Sequence, residues 1–323
     1  MSRDQCVVTV TINPVIDQTI AIPDFAPGQV NRVKYSQFDA GGKGINVASF
    51  LCDFGYATIA TGFLGAENNE IFRRFFARKG IEDRFVTIPG HTRTGVKIID
   101  EVKRQTTDIN FPGQTPEPAH IEQLFKIVSE LSAASDWFVL SGSIPPGVSP
   151  GIYRDLVKTL AGKKVVLDTT GEGFRQALTA SPSIIKPNVH ELQEFSGLPL
   201  DTPSAILEMA RAIIGEYGVS TVVISMGKEG AIFVEGDEAI WAVPPEVEVK
   251  STVGAGDAMV AGIVAAKLQG CSLSECARLA TAFSMEALRH IGSGLSSVQA
   301  VREAEKSVIL HTLIGERLGA VTD

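Results

Sequence analysis

The sequence predicts an α/β protein in which a mainly parallel central sheet is flanked by helices and carries a small β-sheet lid. From about residue 117 onwards, short apolar runs alternate with stretches of helical periodicity, which is the rhythm of βαβ units. Before that point, two strand-rich insertions, about residues 13–38 and 92–111, interrupt the α/β body. The 323 residues are enough for one large domain, so a single domain is expected over 1–323.

The amino-terminal half supplies the first elements of this body. Residues 7–12 are an apolar, largely β-branched run that ends at Asn13 and Pro14, which predicts a buried first strand. Gly55 and Gly80 each follow an amphipathic stretch and predict the ends of helices. The expected elements are a helix over 44–54, a strand over 58–63 and a helix over 67–79.

The carboxyl-terminal half supplies the parallel strands and the last helices. Short apolar strands are predicted at 137–141, 165–168, 184–186 and 221–225, with helical stretches between them. A hairpin is predicted over 231–234 and 239–243, followed by helices over 256–269, 273–289 and 297–318. Ligands of open α/β sheets bind at the carboxyl ends of the strands, and the two insertions can cover that edge and exclude water.

Composition excludes several classes of protein. A net charge of −8 and a pI near 5.3 argue against a nucleic-acid partner, which needs a basic surface. The four cysteines show no metal or redox spacing, so reduced thiols in a cytoplasmic protein are expected. Neither a signal segment nor an apolar run of the roughly 20 residues that cross a bilayer is present in the sequence. A soluble protein without a membrane partner is predicted.

The most informative segment is Gly254-Ala-Gly-Asp257, late in the chain. The small residues Gly254, Ala255 and Gly256 let backbone N–H groups converge at the start of a predicted helix, which suits a phosphate or a developing oxyanion. An acid in the middle of an anion site needs a reason, and accepting a proton from an attacking hydroxyl is the natural one. The alternative is that Asp257 only caps the helix.

A second glycine-rich segment lies at 40–48 and reads Ala-Gly-Gly-Lys-Gly-Ile-Asn-Val-Ala. Gly41 and Gly42 permit close backbone approach at a helix start, while Lys43 and Asn46 can project towards the same ligand. The segment lacks the spacing of a Walker A loop, and neither glycine-rich segment is a dinucleotide fingerprint. A tight turn with a solvated lysine is the alternative interpretation.

Single charged residues near the predicted strand ends are weaker signals. Asp17 follows the first strand and can accept hydrogen bonds from sugar hydroxyls, or it can close an Asx turn. Arg93 lies at the mouth of the second insertion, and its forked guanidinium suits a phosphate, although a solvated surface arginine is equally compatible.

Three loops after predicted strands complete the set of candidates. In Lys186-Pro-Asn-Val-His-Glu191, Glu191 can face inward and organise hydrated Mg²⁺, or Asn188 and Glu191 can form a capping box. Ser225-Met-Gly-Lys-Glu-Gly230 can border a nucleotide or be a plain turn. Ser141 begins a Gly- and Pro-containing turn that can line the same pocket.

In this order along the chain, the segments resemble the ribokinase-like (PfkB) carbohydrate kinase family across essentially the whole sequence. The branch of 1-phosphofructokinases and tagatose-6-phosphate kinases is most similar, through residues 11–17, 30–32, 40–48, 107–111 and 249–257. Departures are small: Ile12 and Met226 replace leucine, and Ala258 replaces serine beside the acid. The resemblance implies a three-layer ribokinase-like fold with a β lid that also pairs two subunits, hence a homodimer.

The resemblance also implies a role for each candidate residue. Asp257 is expected to be the general base, and the N–H groups around Gly254, Ala255 and Gly256 the anion hole. Sugar and phosphate contacts are expected from Asp17, Gly41, Gly42, Lys43, Asn46, Arg93 and Ser141. ATP is expected to contact Lys186, Asn188, Glu191, Ser225, Gly227, Gly230, Thr252, Gly254 and Gly256, with Glu191 serving Mg²⁺ through water.

The implied reaction is the ATP-dependent phosphorylation of a ketohexose phosphate, with D-fructose 1-phosphate giving D-fructose 1,6-bisphosphate as the preferred case. Tagatose 6-phosphate and fructose 6-phosphate are the alternative substrates, because the same cations can hold either terminal phosphate. Two other classes are a dinucleotide-dependent oxidoreductase, for which the glycine fingerprint is missing, and a catalytically silent sugar-phosphate or nucleotide binder. The intact Gly254–Asp257 segment counts against the silent binder.

Overall fold

The computed structural model describes residues 6–247, 249–251, 254–290, 292–314 and 317–320. Its strands form one large sheet between helices and one small separate sheet of four strands, which confirms the predicted fold class. In chain order the strands are β1 (Cys6–Thr11), β2 (Val15–Ala21), β3 (Tyr35–Gly41), β4 (Ala57–Gly65), β5 (Glu82–Asp83), β6 (Val86–Ile88), β7 (Thr94–Asp100), β8 (Gln105–Asn110), β9 (Trp137–Ser141), β10 (Lys164–Asp168), β11 (Ile184–Ile185), β12 (Thr221–Ser225), β13 (Ala231–Glu235), β14 (Glu238–Val243), β15 (Ile309–Ile314) and β16 (Arg317–Ala320).

The helices fill the intervals between these strands. They are α1 (Lys43–Asp53), α2 (Glu70–Lys79), α3 (Pro118–Leu131), α4 (Ile152–Thr159), α5 (Gly171–Leu178), α6 (Val189–Ser196), α7 (Pro203–Tyr217), α8 (Ala255–Leu268), α9 (Leu273–Leu288) and α10 (Val298–Glu305). No helix in the described ranges is long and apolar enough to cross a membrane.

The large sheet has the order β16-β15-β14-β13-β12-β11-β10-β9-β1-β4-β5. Within the described residues, seven neighbouring strands of this sheet are parallel to one another: β12, β11, β10, β9, β1, β4 and β5. Strands β13, β14, β15 and β16 continue the sheet in antiparallel fashion. Because parallel strands point the same way, the carboxyl ends of β1, β9, β10, β11 and β12 meet along one edge. Ser141 and Asp168 are register partners at that edge, so polar side chains far apart in sequence become neighbours.

Alternate residues of the central strands enter two separate cores, which explains the nearly continuous apolar runs of these strands. Phe138 and Leu140 pack with helices α3 to α7 on one face, whereas Val139 packs with α1 and α8 to α10 on the other. Helix α8 is apolar nearly all round and packs against α1, α9 and the sheet. A Cβ on Gly262 would lie 2.6 Å from the Cα of Ala280, so the two helices touch through their backbones.

The small sheet has the order β3-β2-β7-β8, with β2 and β7 parallel and the outer pairs antiparallel. Its strands come from the two predicted insertions, and β3 extends to Gly41, three residues beyond the expected boundary at 38. Asp17, Asp39, Gly95 and Lys97 share one face by register, while Phe38 lies on the opposite face.

The predicted last helix over 297–318 is wrong. Helix α10 ends at Glu305, and the chain returns as β15, which pairs antiparallel with β14. Leu310 and Leu313 are buried whereas Ile309 is 56% exposed. The physical reason is that β14 would otherwise leave a row of unpaired backbone groups at the sheet edge. The helix predicted over 67–79 also begins later, at Glu70.

Candidate active site

Helix α8 begins beside the carboxyl edge of the large sheet. Gly254 is the residue before the helix and has a φ of 79°, a left-handed conformation that favours glycine. Asp257 lies in the first turn and is buried at 6% exposure, and Asn46 is its hydrogen-bond partner within the described residues. This partner favours a role in the site over that of a helix cap. Thr252 lies outside the described residues.

Asn46 Nδ2, from the second turn of α1, donates a 2.8 Å hydrogen bond to Asp257 Oδ2. Burial raises the pKa of Asp257 to about 6, against the opposing charge of Lys43, with Asp168 adding to the rise and the Asn46 hydrogen bond reducing it. A carboxylate with this pKa is ionised at pH 7 and is more basic than an exposed aspartate. A general base must be deprotonated at the working pH and basic enough to take up a proton, and this carboxylate is both.

The second glycine-rich segment forms the start of α1. Gly42 precedes the helix with a φ of 129°, and a Cβ there would lie 2.8 Å from Thr11 Cγ2. Gly44 lies so close to β1 that its Cβ would meet Thr11 Oγ1 at 2.5 Å. These glycines let α1 begin directly over the end of β1, so the side chain of Lys43 extends across the sheet edge.

Lys43 and Lys186 converge on Asp168, the last residue of β10. Lys43 Nζ lies 3.2 Å from Asp168 Oδ2, and Lys186 Nζ lies 3.5 Å from Asp168 Oδ1. Ser141 Oγ is within 3.5 Å of the same carboxylate. Asp168 is 1% exposed. The alternative of a solvated Lys43 is wrong, because its ammonium forms a partly buried ion pair.

The charges of this cluster support one another. Burial opposes ionisation of Asp168, but the two lysines outweigh it and hold its pKa below the ordinary value. Burial likewise disfavours the Lys43 ammonium, yet Asp168, Asp257 and Glu191 together raise its pKa. The cluster thus keeps two ammonium groups beside the general-base candidate, an arrangement that suits polyphosphate charge.

Asp168 was missed by the sequence analysis. The only sequence signal was its place at the end of a predicted strand, which Ser141 and Lys186 share. A charged residue that directly follows an apolar parallel strand deserves the same weight as a glycine-rich loop, since both lie at the ligand-binding edge.

Asp17 projects from the small sheet into a cavity that is also lined by Asn46, Lys97, Ser251 and Gly254. A Cβ on Gly41 would lie 2.3 Å from Asp17 Oδ2, so the absent side chain makes room for the carboxylate. Within the described ranges Asp17 accepts no hydrogen bond, whereas burial raises its pKa. It is therefore available to a ligand.

Arg93 has hydrogen-bond partners of its own. Its Nε donates to Asn13 Oδ1 over 3.1 Å, and Asn13 Nδ2 donates to Ser143 Oγ over 2.9 Å. Arg93 is near enough to Asp17 for the two charges to interact. The structure thus brings Arg93 close to the sugar-side acid, while Lys43 joins Lys186 and Asp168. The two predicted phosphate-binding cations thus have different partners in the described residues, and their joint role in binding a phosphate stays a prediction.

Asn188 and Glu191 form the capping box that was one of their two interpretations. Asn188 Oδ1 accepts from the backbone N–H of Glu191 over 2.9 Å, and Glu191 Oε2 accepts from that of Asn188 over 2.8 Å. The charge of Glu191 still acts on Lys43. One carboxylate oxygen is thus committed to the cap while the group as a whole faces the cluster.

The loop after β12 adjoins this cap. Ser225 forms an isolated parallel bridge with Asn188, so the two predicted nucleotide residues are neighbours. Gly227 has a φ of 60° and Gly230 a φ of 87°. A Cβ on Gly230 would lie 1.9 Å from the carbonyl oxygen of Ala242. The close approach of β14 therefore explains the glycine at this position without a nucleotide contact.

A buried carboxylate, a glycine-rich helix start, two ammonium groups and a small sheet whose Asp17 accepts no hydrogen bond within the described ranges form an arrangement that suits phosphoryl transfer to a sugar. Residues 6–300 match the model of the pfkB family carbohydrate kinases, and the chain belongs to that family. It is 44% identical over 310 residues to the 1-phosphofructokinase of Rhodobacter capsulatus, covering 95% of this chain and 98% of the relative. The 1-phosphofructokinase of Xanthomonas campestris pv. campestris is 42% identical over 310 residues, or 94% and 97% of the two chains.

Solved structures show the same fold. The tetrameric inhibited form of phosphofructokinase-2 from Escherichia coli superimposes with a TM-score of 0.86 at 28% sequence identity, covering 93% of this chain and 98% of that one. The chain is therefore similar to phosphofructokinases along nearly its whole length.

Proposed function

We propose that this protein transfers the γ-phosphoryl group of ATP to the free primary hydroxyl of a ketohexose phosphate, with D-fructose 1-phosphate as the preferred acceptor. The observation that carries this proposal is the buried Asp257, held by Asn46 beside the start of α8 and the Lys43–Asp168–Lys186 cluster. The names of the most similar relatives support the choice of acceptor.

In the proposed reaction, Asp257 takes the proton of the attacking hydroxyl. The N–H groups at Gly254, Ala255 and Gly256 face the transferring group, since the start of a helix leaves such donors unpaired. General-base assistance contributes about 10²–10⁴ in rate, and each oxyanion donor about 10²–10³. Asp17 and Asn46 would hold sugar hydroxyls, with Gly41 and Gly42 giving the sugar room.

The different protein partners of the cations support different roles for them. Arg93, with Asn13 and Ser143 beside it, would bind the phosphate that the sugar already carries. Lys43 and Lys186, joined through Asp168, would face the phosphates of ATP, with Ser141 supporting the carboxylate. Asn188, Ser225, Gly227 and Gly230 would border the nucleotide, and Thr252 stays a prediction.

The residues of the site fit Mg²⁺ only if the phosphates of ATP and water supply most of its ligands. The described residues contain no cluster of three or more acidic, histidine or cysteine side chains that could hold a metal. Mg²⁺ in kinases is bound by one or two carboxylates together with phosphates and water. Glu191, with one carboxylate oxygen outside the cap, would serve it through water. When bound, Mg²⁺ neutralises charge between the β- and γ-phosphates.

The test is ADP release with MgATP and a panel of fructose 1-phosphate, fructose 6-phosphate, tagatose 6-phosphate, fructose and ribose. Fructose 1-phosphate should give the highest kcat/KM, and Asp257→Asn should lower kcat by about 10²–10⁴. Asp155→Asn, a surface acid of α4 that is 45% exposed, is the matched control and should keep full activity. ADP release on neutral sugars alone would contradict the proposal, and none at all would favour the silent binder.

We also propose a homodimer formed through the small sheet. Phe38, on the face opposite Asp17, is 54% exposed, and Ile109 is 46% exposed. Phe38, Val96 and Ile109 lie in one row that crosses all four strands and includes Gln18 of β2. Exposed apolar rows mark interfaces. Phe38→Asp and Ile109→Asp should give monomers in sedimentation, whereas unaltered mass in both would contradict this dimer. The cytoplasmic location stays a prediction.

A further inference from the structure

Lys97 is a cation of the sugar-side cavity that no motif singles out. In β7 it lies directly opposite Thr19 of β2 and Asp108 of β8, and two register pairs along from the position where Gly95 faces Asp17. Side chains related diagonally on one face of a sheet are about 7–8 Å apart at the backbone, which long side chains can bridge. Lys97 thus shares the face of Asp17 that looks towards α1 and α8.

The ammonium of Lys97 is held at the cavity but weakly bound. Its side chain is only 15% exposed, and its one ion pair in the described ranges is with Asp108 Oδ1 at 3.7 Å, beyond hydrogen-bond distance. Asp108 itself is 58% exposed, so water screens that pair. Lys97 keeps donors for a partner inside the cavity.

Asp17 is the group that needs such a partner. Burial raises its pKa, and Lys97 is the strongest of the charges that oppose the rise, followed by Arg93, while Asp39 and Asp108 add to it. These four groups, from β7, the segment before it, β3 and β8, are the charged side chains that act on Asp17. Without Lys97, Asp39 and Asp108 would be opposed by Arg93 alone, so the pKa of Asp17 would rise further.

We infer that Lys97 is a positioning residue of the sugar site, where its ammonium serves as the counter-ion that keeps the Asp17 carboxylate ready to accept sugar hydroxyls. The inference rests on the proposed function. It adds Lys97 to the residues of the small sheet that support sugar binding by Asp17. Lys43, Asp168 and Lys186 are the charges that act most strongly on Asp257. Because Lys97 is not among them, we expect it to govern binding of the sugar and to leave phosphoryl transfer unchanged.

The experiment compares Lys97→Met, Lys97→Gln and Lys97→Arg with the unaltered protein, measuring kcat and the KM for sugar phosphate between pH 5.5 and 8.5. Loss of the charge should raise KM by about 10- to 100-fold, as expected for a hydrogen-bonded charged group. Saturating kcat should stay within about twofold, and the KM defect should grow as pH falls, because Asp17 then protonates at higher pH than in the unaltered protein. Lys97→Arg should restore most of the affinity.

Asp108→Asn is the control, because it removes the ion-pair partner of Lys97 while leaving the ammonium in place, and KM should change by less than about twofold. An unchanged KM in Lys97→Met and Lys97→Gln would overturn the inference. An equal loss of kcat and kcat/KM, with no rescue by arginine, would do so too, since it would show a structural role. Melting temperatures identify variants that fail to fold.

The proposed function and this inference fail separately. Turnover by the unaltered protein on the panel of sugars tests the function, and the ratio of variant to unaltered KM tests Lys97 on whichever ketohexose phosphate is used. If none is turned over, the ratio is taken from calorimetric dissociation constants for fructose 1-phosphate. Absence of measurable binding by the unaltered protein would overturn the inference as well.

Discussion

Asn46 and Asp257 are 211 residues apart in sequence and are joined by a 2.8 Å hydrogen bond from Nδ2 to Oδ2. The bond connects the two glycine-rich helix starts of the site, so α1 fixes the side chain of α8 that would act as base. A hydrogen bond to the ionised carboxylate favours that form, which is why it opposes the effect of burial on Asp257.

Asn46→Ala should therefore move the acid limb of the pH profile of kcat/KM, which reports pKa values of the free enzyme. In the unaltered protein kcat/KM should fall as pH drops through about 6, the pKa of Asp257, because the protonated acid cannot accept the sugar proton. Loss of the Asn46 hydrogen bond raises that pKa, so the limb should move to higher pH. Ser49→Ala, on the same helix, removes a hydrogen bond to Ser293 and should leave the limb in place. An unmoved limb in Asn46→Ala would show that Asn46 does not act on the base.

Asp257→Asn should stabilise the folded protein while it inactivates the proposed reaction. The folded pKa of about 6 exceeds the ordinary 3.8, so ionisation costs the folded state up to about 3 kcal/mol. That cost is absent below about pH 4 and complete above about pH 7. The variant should match the unaltered protein in urea unfolding at pH 4 and exceed it at pH 8. A gain of the same size at both values would assign the effect to something other than ionisation.

Asp168→Asn should be destabilising for the opposite reason. It would leave Lys43 and Lys186 without their carboxylate in a buried cluster, and breaking such a pair from one side costs about 3–5 kcal/mol. Because the folded pKa of Asp168 is below its ordinary value, the contribution is present above the unfolded pKa and is lost as pH falls through the folded one. Urea unfolding at pH 7 measures it.

Glu303→Gln provides the comparison for that measurement. Glu303 pairs with Lys306 at the surface, where the two side chains are 54% and 69% exposed. Surface pairs contribute about 0–1 kcal/mol, so this variant should unfold nearly like the unaltered protein. An equal loss of unfolding free energy in the two variants would mean that the buried cluster stabilises the protein no more than a surface ion pair does.

Gly41→Ala should weaken sugar binding without unfolding the protein. The new Cβ would lie 2.3 Å from Asp17 Oδ2, so the flexible carboxylate must move away from its place in the cavity. A displacement of about 1 Å at a positioned group costs up to about 10² in rate, and we expect KM for the sugar phosphate to rise at least about tenfold. Steady-state kinetics measures the change.

Gly215→Ala is the matched glycine control. Gly215 lies inside α7, and a Cβ there would have no heavy atom within 4 Å. Alanine is the better helix former by about 1 kcal/mol, so this variant should be slightly more stable with unchanged KM. Should Gly41→Ala also keep its KM, the room made for Asp17 would have no role in binding.

The sequence alone determined the strands that are buried on both faces. Residues 137–141 and 221–225 have the predicted bounds in the structure, because a continuous apolar run between turns allows few alternatives. The sequence also located the starts of α1 and α8. Both follow a glycine with a positive φ, which is a local requirement of the backbone. The carboxyl-terminal strand β15 was missed, because its pattern becomes a strand only when β14 is beside it.

The tertiary structure alone decided which charges meet. Lys43 and Asp168 are 125 residues apart, and Asp168 and Lys97 belong to no motif, so nothing local marks them. The structure also gave Asp257 a hydrogen-bond partner on another helix and identified Asn188 and Glu191 as a capping box. The physical reason is that conformation depends on near neighbours along the chain, whereas the state of a buried charge depends on every charge that folding brings around it.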